Sequence, residues 1–269
     1  MPELPEVETV ARELRDTIAG RRIGSLHALW EKSFDNRCGI PLEGQQIASV
    51  ERKGKYLIIN LEHTFLIVHL RMTGQLLYFA EGSGNIGKHV RIRILFEDQS
   101  ELLFKDMRKF GRIYHVCDKE EILREVGVDA LNPELDKNYF KALLKKSNMN
   151  LKAFLLSQKY ISGLGNIYVD ESLFRARLHP GSIASGLSES KYDLLFDTIR
   201  HVLKIAVRNM GSTISDYRDT YGNAGNNQKF FKVYGRTGLP CYVCGMPVEK
   251  IRLAGRGTHF CPSCQKSRN

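Results

Sequence analysis

Four cysteines constrain the end of this chain more tightly than any other residues constrain the rest. Cys241, Cys244, Cys261 and Cys264 follow the pattern C-x2-C-x16-C-x2-C within the last thirty residues. So short a segment buries too little apolar surface to fold unaided, and knuckles paired at this spacing bring four thiolates around one tetrahedral zinc ion. Four thiolates leave no position for a reactive water, so the metal is expected to be structural. Cys38 and Cys117 stand far from these and from each other, and they read as buried, unreactive thiols.

At 269 residues the chain is long enough for two modest domains, each with its own core. Its 40 Lys and Arg residues outnumber 30 Asp and Glu, giving a net charge of +10. That balance favours a polyanionic partner. No apolar run has the length of a membrane span, and the acidic opening MPELPEVETV is the reverse of a signal-peptide start. A soluble, intracellular protein is the expectation.

The first element reads as a helix. Val7, Val10, Ala11, Leu14 and Ile18 recur at helical spacing, Pro5 suits the first turn, and Gly20 ends the run. Glu3, Glu6 and Glu8 complement the positive end of its dipole. Period-two or short apolar runs then predict strands over 56–61, 65–70, 75–79, 90–96, 101–104 and 112–116. In HVRIRILFE the residues Val90, Ile92, Ile94 and Phe96 point one way and Arg91 and Arg93 the other. Strands with short turns and no helices between them predict an antiparallel sandwich with the first helix packed on it. Near Gly127 the composition shifts, with a turn at Asn132-Pro133, and helical patterns cover 137–145, 151–158, 166–175 and 188–210. A polar, Gly-rich loop spans 211–228 before the cysteine segment. The expected fold is α+β: a catalytic β-sandwich over 1–130, a helical domain over 131–228 and a zinc-bound β-hairpin over 229–269.

Several stretches could carry chemistry, and each also has an ordinary structural explanation. Pro2 would bear a free secondary amine once Met1 is removed, or it could merely open the helix. In ISGLGNIYVDESL, Gly163 and Gly165 allow close backbone approach and Asn166 opens a helix. That is either a phosphate site or a plain N-cap. ERKGKY offers Lys55 and DMRKFGR offers Arg108 beside Phe110, as nucleic-acid surfaces and solvated turns both do. HLRMTG puts His69 and Met72 at a strand end, and AGRGTHFC sets Arg256 on a Gly-flanked turn between the knuckles.

Taken in order, MPELPEVET, KGKY, HLRMTG, DMRKFG, GLGNIY and AGRGTHFCPSCQ closely resemble the bacterial formamidopyrimidine-DNA glycosylases, also called 8-oxoguanine DNA glycosylases. The motifs run from end to end of the chain. The resemblance implies a base-excision enzyme that removes oxidised purines from duplex DNA and then cuts at the abasic site, with a helix-two-turns-helix domain and one structural zinc. It implies that Pro2 attacks C1′ and forms a Schiff base, an amine chemistry that the adjacent helix N-terminus favours by disfavouring the protonated cation. Glu3 would supply the proton that opens the sugar, Glu6 would orient the site, Lys55 would assist β-elimination and Arg256 δ-elimination. Lys55, Arg256, His69 and Asn166 would grip the DNA backbone. Met72, Arg108 and Phe110 would fill the gap left by an extruded base, with Arg108 pairing to the orphaned cytosine. The loop 211–228 corresponds to the segment that closes over that base. Many relatives carry H-x-H before the HVRIRI strand; here Gly87 takes the first place and His89 alone remains as a DNA contact. The implied partner is duplex DNA carrying oxidised purines or abasic sites, bound by a monomer in the bacterial cytoplasm with no membrane association.

Two rivals differ in testable ways. Endonuclease VIII shares the fold, but its relatives begin PEGPE and lack this methionine and phenylalanine arrangement; PELPE with Met72 and Phe110 favours the purine enzyme. A zinc-dependent DNA-binding module without catalysis would explain the charge and the cysteines, yet would leave the amino-terminal motif and Lys55 idle.

Overall fold

The computed structural model describes residues 1–82 and 87–266. The chain forms two compact units, one of Met1–Glu125 with Val207–Gln228 and the other of Val126–Ala206 with Lys229–Asn269.

The first unit opens with α1 (Leu4–Ile18) and continues through β1 (Ile23–Ala28), β2 (Phe34–Asn36), β3 (Ile47–Lys53), β4 (Tyr56–Leu61) and β5 (Phe65–His69). Then come β6 (Gly74–Phe79), β7 (Val90–Phe96), β8 (Glu101–Asp106), β9 (Arg112–Val116) and the single turn α2 (Glu120–Leu123). One sheet has the order β1-β7-β8-β6 and the other β2-β9-β5-β4-β3. All pairings in the two sheets are antiparallel except β2 with β9, which is parallel. Ile92, Ile94 and Phe104 from the first sheet and Val50, Leu57, Ile59 and Val68 from the second share one apolar core with Val7, Val10 and Leu14 of α1. Two sheets closing on one core make the expected sandwich.

Within these two sheets periodicity missed β1, β2 and β3, and all three lie at sheet edges. In β1 only Ile23 is buried, so the alternation that reveals a half-buried strand is diluted. Arg91, on the other face of β7, is buried, and its Nε donates to the Asp106 carbonyl at 2.8 Å beside a register irregularity between Val90 and Ile92.

Polar ties fix α1 to the second sheet. Arg52 Nε meets Glu8 Oε2 at 2.8 Å and Arg15 Nε donates to the Val50 carbonyl at 2.7 Å. Burial pushes the Glu8 carboxyl upward, but Arg52, Arg12 and Arg15 outweigh it and hold the group below the usual carboxylate range.

Cys38 and Cys117 overturn their expectation. They are joined as a disulfide with Cα atoms 5.2 Å apart, and Cys117 is exposed rather than buried. The cause is the parallel β2–β9 ladder, which pairs Asn36 with His115 and so delivers the two cysteines side by side just beyond it. Sequence separation hid this proximity.

In the second unit β10 (Val128–Asp129) pairs in parallel with β11 (Ile161–Ser162), amid α3 (Lys137–Lys145), α4 (Leu151–Leu156), α5 (Asn166–Arg175) and α6 (Glu189–Arg208). Asp136 caps α3 by accepting the Tyr139 N–H at 2.7 Å, and Asn150 caps α4 by accepting that of Ala153 at 2.8 Å. The antiparallel hairpin of β12 (Glu249–Leu253) and β13 (Arg256–Phe260) lies between the two cysteine knuckles. Among the described residues no helix is long and apolar enough to cross a membrane.

The Cys38–Cys117 bridge closes a loop of 79 residues, for which the chain-entropy account gives up to about 4.5 kcal/mol of stabilisation. Reduction, or Cys117→Ser, should therefore lower Tm by several degrees in calorimetry; an identical Tm with and without reductant would contradict the bridge.

Candidate active site and zinc knuckle

Pro2 and Glu3 are buried at the start of α1, while Met1 is exposed. Glu3 and Glu6 form a reciprocal capping box in which the Glu3 backbone N–H donates to Glu6 Oε2 at 2.8 Å. The other oxygen of Glu6 accepts the Ser212 N–H at 2.6 Å, and the Tyr217 hydroxyl donates to the Glu6 carbonyl at 3.3 Å. Gly211 sits at φ +73, and a Cβ there would lie 2.8 Å from Glu6 Cγ, so only glycine fits. Burial, reinforced by the Glu6 carboxylate, pushes the Tyr217 phenol well above its ordinary pKa. One carboxylate thus joins the amino terminus to the loop 211–228. No sequence signal marks that contact across more than two hundred residues.

Lys55 occupies the two-residue turn between β3 and β4, where Gly54 takes φ +60 and Lys53 pairs with Tyr56. It is buried, as is His69, which lies across the ladder from Tyr56 with the two rings edge to face at 4.5 Å. His69 Nδ1 accepts the Arg71 N–H at 3.0 Å, which leaves the ring proton of the neutral form on Nε2. Burial first, then the charges of Arg71 and Lys55, lower the His69 pKa to about 3.

Met72 is half-buried and follows Arg71, which takes the left-handed φ of 55. Arg108 and Phe110 are exposed on the loop 107–111, with the guanidinium 5.0 Å from the ring centroid. Between them Lys109 is left-handed, at φ 61, and its ammonium stands 3.8 Å from the Trp30 ring centroid. Phe110 is thus half open to solvent with a cation beside its ring. His89 is half-buried and lines an open cleft of about 410 Å³ with Thr73, Gln75, Lys105 and Arg218.

In the second unit Gln158 bridges α4 to α5, donating to the carbonyls of Leu156 and Leu164 and accepting the Gly163 N–H at 3.0 Å. Gly163, at φ +105, makes the bend. Asn166 does not serve as an N-cap, because Gly165 holds that position and Asn166 is the first helical residue. Its Nδ2 donates to the Gly257 carbonyl of the hairpin at 3.0 Å, while its buried Oδ1 has no partner. Asp170, fully buried one turn on, accepts Lys152 Nζ at 2.5 Å and the His259 N–H at 2.9 Å. Glu171 accepts backbone N–H groups of Lys232, Val233 and Tyr234 at 2.9–3.0 Å. These two acids bind α5 to the start and the hairpin of the cysteine segment; neither was singled out from sequence, where a buried acid looks like a solvated one. Arg256 is exposed directly after the tight turn of Ala254 (φ 50) and Gly255 (φ 70).

The four Sγ atoms of Cys241, Cys244, Cys261 and Cys264 all lie within 4.8 Å of one another, the closest pairs at 3.4 and 3.9 Å. Thiolates about 2.3 Å from a tetrahedral zinc are separated by ~3.8 Å, so the set fits the ion. Backbone N–H groups of Val243 and Cys264 point at the sulfurs of Cys241 and Cys261, each at 3.4 Å, as support for thiolate ligands.

Three family profiles match in sequence along the chain. They are the formamidopyrimidine-DNA glycosylase N-terminal domain over residues 1–113, the H2TH domain of the same enzymes over 126–218, and the zinc finger found in FPG and IleRS over 238–266. The chain belongs to the formamidopyrimidine-DNA glycosylase family. The family enzyme of Bacillus licheniformis is 41% identical over 99% of this chain and 100% of its own length, and that of Streptococcus pneumoniae is 40% identical over 99% of each. The MutM (Fpg) crystal structure from Thermus thermophilus covers the whole of both chains with a TM-score of 0.89 and 41% identity. A Lactococcus lactis Fpg variant solved with Fapy-dG DNA gives 0.90 at 37% identity, over 99% of this chain and 100% of that one. As a formamidopyrimidine-DNA glycosylase the chain is a DNA-repair enzyme with a single zinc site of four cysteines.

The burial of neutral His69 links stability to pH. The unfolded chain protonates this side chain near its ordinary value of 6.5 and the folded one near 3, so across that window the unfolded state holds more protons. Its contribution is complete above pH 6.5 and is lost as pH falls, by at most about 1.4 kcal/mol per unit. His69→Gln should flatten the acid limb of a urea-midpoint-against-pH curve; an unchanged slope below pH 6 would refute the buried neutral ring.

Proposed function

We propose that this glycosylase excises oxidised purines, 8-oxoguanine and formamidopyrimidines, from duplex DNA through a Schiff base on Pro2 and then cleaves the strand by β,δ-elimination. The observation that carries this reading is the buried Pro2–Glu3 start of α1, held by Glu6 to the loop 211–228 within a chain that matches the family from end to end. With Met1 removed, the Pro2 nitrogen is a secondary amine at a helix N-terminus, where a cation is disfavoured and the nucleophilic free base is favoured. It attacks C1′ as the base departs, and ring opening yields the iminium.

Glu3, beside that nitrogen in sequence, supplies the proton to the opening sugar oxygen. Lys55 assists removal of the proton in β-elimination and Arg256 the δ step, both also contacting phosphate. His69, with its proton on Nε2, donates to a phosphate oxygen, as does Asn166 through the helix end that it begins; His89 adds a contact from the cleft rim. Met72 and Phe110 enter the stack and Arg108 pairs with the orphaned cytosine, offsetting an unstacking cost of a few kcal/mol. These roles divide among a catalytic segment 1–130, a helical DNA-binding segment 131–228 and a zinc hairpin 229–269, working as a monomer in the bacterial cytoplasm and on its nucleoid. Lesion DNA in the Lactococcus lactis complexes, both Fapy-dG and abasic, supports this substrate class.

Borohydride reduction should capture a covalent complex with 8-oxoguanine duplex, and Pro2→Gly should lose most of it while retaining DNA binding. Base release at the wild-type rate by the variant would count against Pro2; intact mass spectrometry of the preparation confirms that Met1 is gone. Stripping the zinc should weaken DNA binding, because a two-stranded hairpin has little core of its own. Unchanged affinity in a metal-free preparation, verified by elemental analysis, would show that the four cysteines do not serve the hairpin through zinc.

A further inference from the structure

Asp106 ends β8 and is fully buried, yet no step of the chemistry above uses it. Its two oxygens are divided between the two ends of the loop 107–111. Oδ1 accepts the Arg108 N–H at 3.1 Å, and Oδ2 accepts the Gly111 N–H at 2.7 Å. Oδ1 also accepts the hydroxyl of Thr73, whose oxygen in turn accepts the Arg108 N–H at 3.1 Å. Thr73 directly follows Met72. The carboxylate therefore binds the loop bearing Arg108 and Phe110 to the segment bearing Met72.

The surroundings hold the carboxylate itself in place. The Asp106 N–H donates to the His89 carbonyl at 2.9 Å, the Asp106 carbonyl accepts from buried Arg91, and Gly74 lies opposite Asp106 in the β6–β8 ladder. Gly111 must lack a side chain, since a Cβ would fall 2.4 Å from Phe104 Cζ and 3.2 Å from Asp106 Oδ2. Arg71 and Lys109, the residues before Met72 and Phe110, are both left-handed, a conformation that persists in non-glycine residues only where the surroundings enforce it.

We propose that Asp106, acting with Thr73, is the positioning residue of the wedge, presetting Met72, Arg108 and Phe110 as one rigid piece before DNA arrives. Left unclamped, the loop would have to be ordered during binding, at the expense of affinity and of the alignment by which Arg108 reads the opposite base. The inference rests on the wedge roles assigned under the proposed function.

Thr73→Val removes the hydroxyl with little change in shape and Thr73→Ser restores it; Asp106→Asn keeps one acceptor oxygen but turns an amide toward the Gly111 N–H. Each variant is assayed on 8-oxoguanine duplexes with cytosine or adenine opposite, under multiple- and single-turnover conditions, with Phe110→Ala in parallel and Tm measured for all. The expected result for Thr73→Val and Asp106→Asn is a KM raised about tenfold, a single-turnover rate at saturating enzyme within about threefold of wild type, and a cytosine-over-adenine preference cut several-fold. Thr73→Ser should return all three to wild-type values. Folded Thr73→Val with unchanged KM and unchanged preference, while Phe110→Ala alters both, would overturn the positioning role alone. Loss of the saturating rate without a KM change would also overturn it. If Phe110→Ala alters neither quantity, the wedge reading fails and the inference falls with it.

Discussion

A single carboxylate, that of Glu6, ties the amino-terminal start of α1 to the loop 211–228 within the first unit. Burying a charged group in an apolar core is expensive unless its oxygens are met by donors. Glu6 meets this condition by accepting one N–H from the start of its own helix and another from Ser212, across most of the chain. The amine of Pro2 has no side chain to aim it, so its position is that of the backbone. Whatever fixes the backbone at Glu3 therefore also fixes Pro2, the residue proposed as the nucleophile.

The same device recurs elsewhere. Asp106 gathers a five-residue loop, Asp170 joins α5 to the hairpin, and Glu171 collects three successive amides at the start of the cysteine segment. Each is an acid buried among backbone donors in a chain whose net charge is +10. The division of labour is electrostatic. Acids inside tie short loops and elements together, while the net excess of bases favours a polyanionic partner.

Much of this was legible beforehand. Strands β4, β7 and β9 and helices α3 and α5 have the bounds that the periodic apolar pattern predicts. The zinc cluster was legible because its spacing allows few alternatives. Edge strands β1, β2 and β3 were not, for the outward half of an edge carries no apolar signal. The N-cap alternative for Asn166 failed because local pattern cannot report a partner distant in sequence: Gly165 takes the cap position and the hairpin engages the asparagine. The disulfide escaped for the same reason, its cysteines being brought together only by a parallel pairing. Glu6 stands out in sequence by its place in the amino-terminal motif, whereas Asp106, Asp170 and Glu171 look there like any surface acid.

The chain contains one tryptophan, Trp30, and its indole faces the ammonium of Lys109, the residue that follows Arg108 and precedes Phe110. Intrinsic emission excited at the red edge of the ultraviolet therefore comes from one place, beside the loop 107–111. The enzyme carries its own optical probe of that loop, sensitive to the local field and needing no label or fluorescent base.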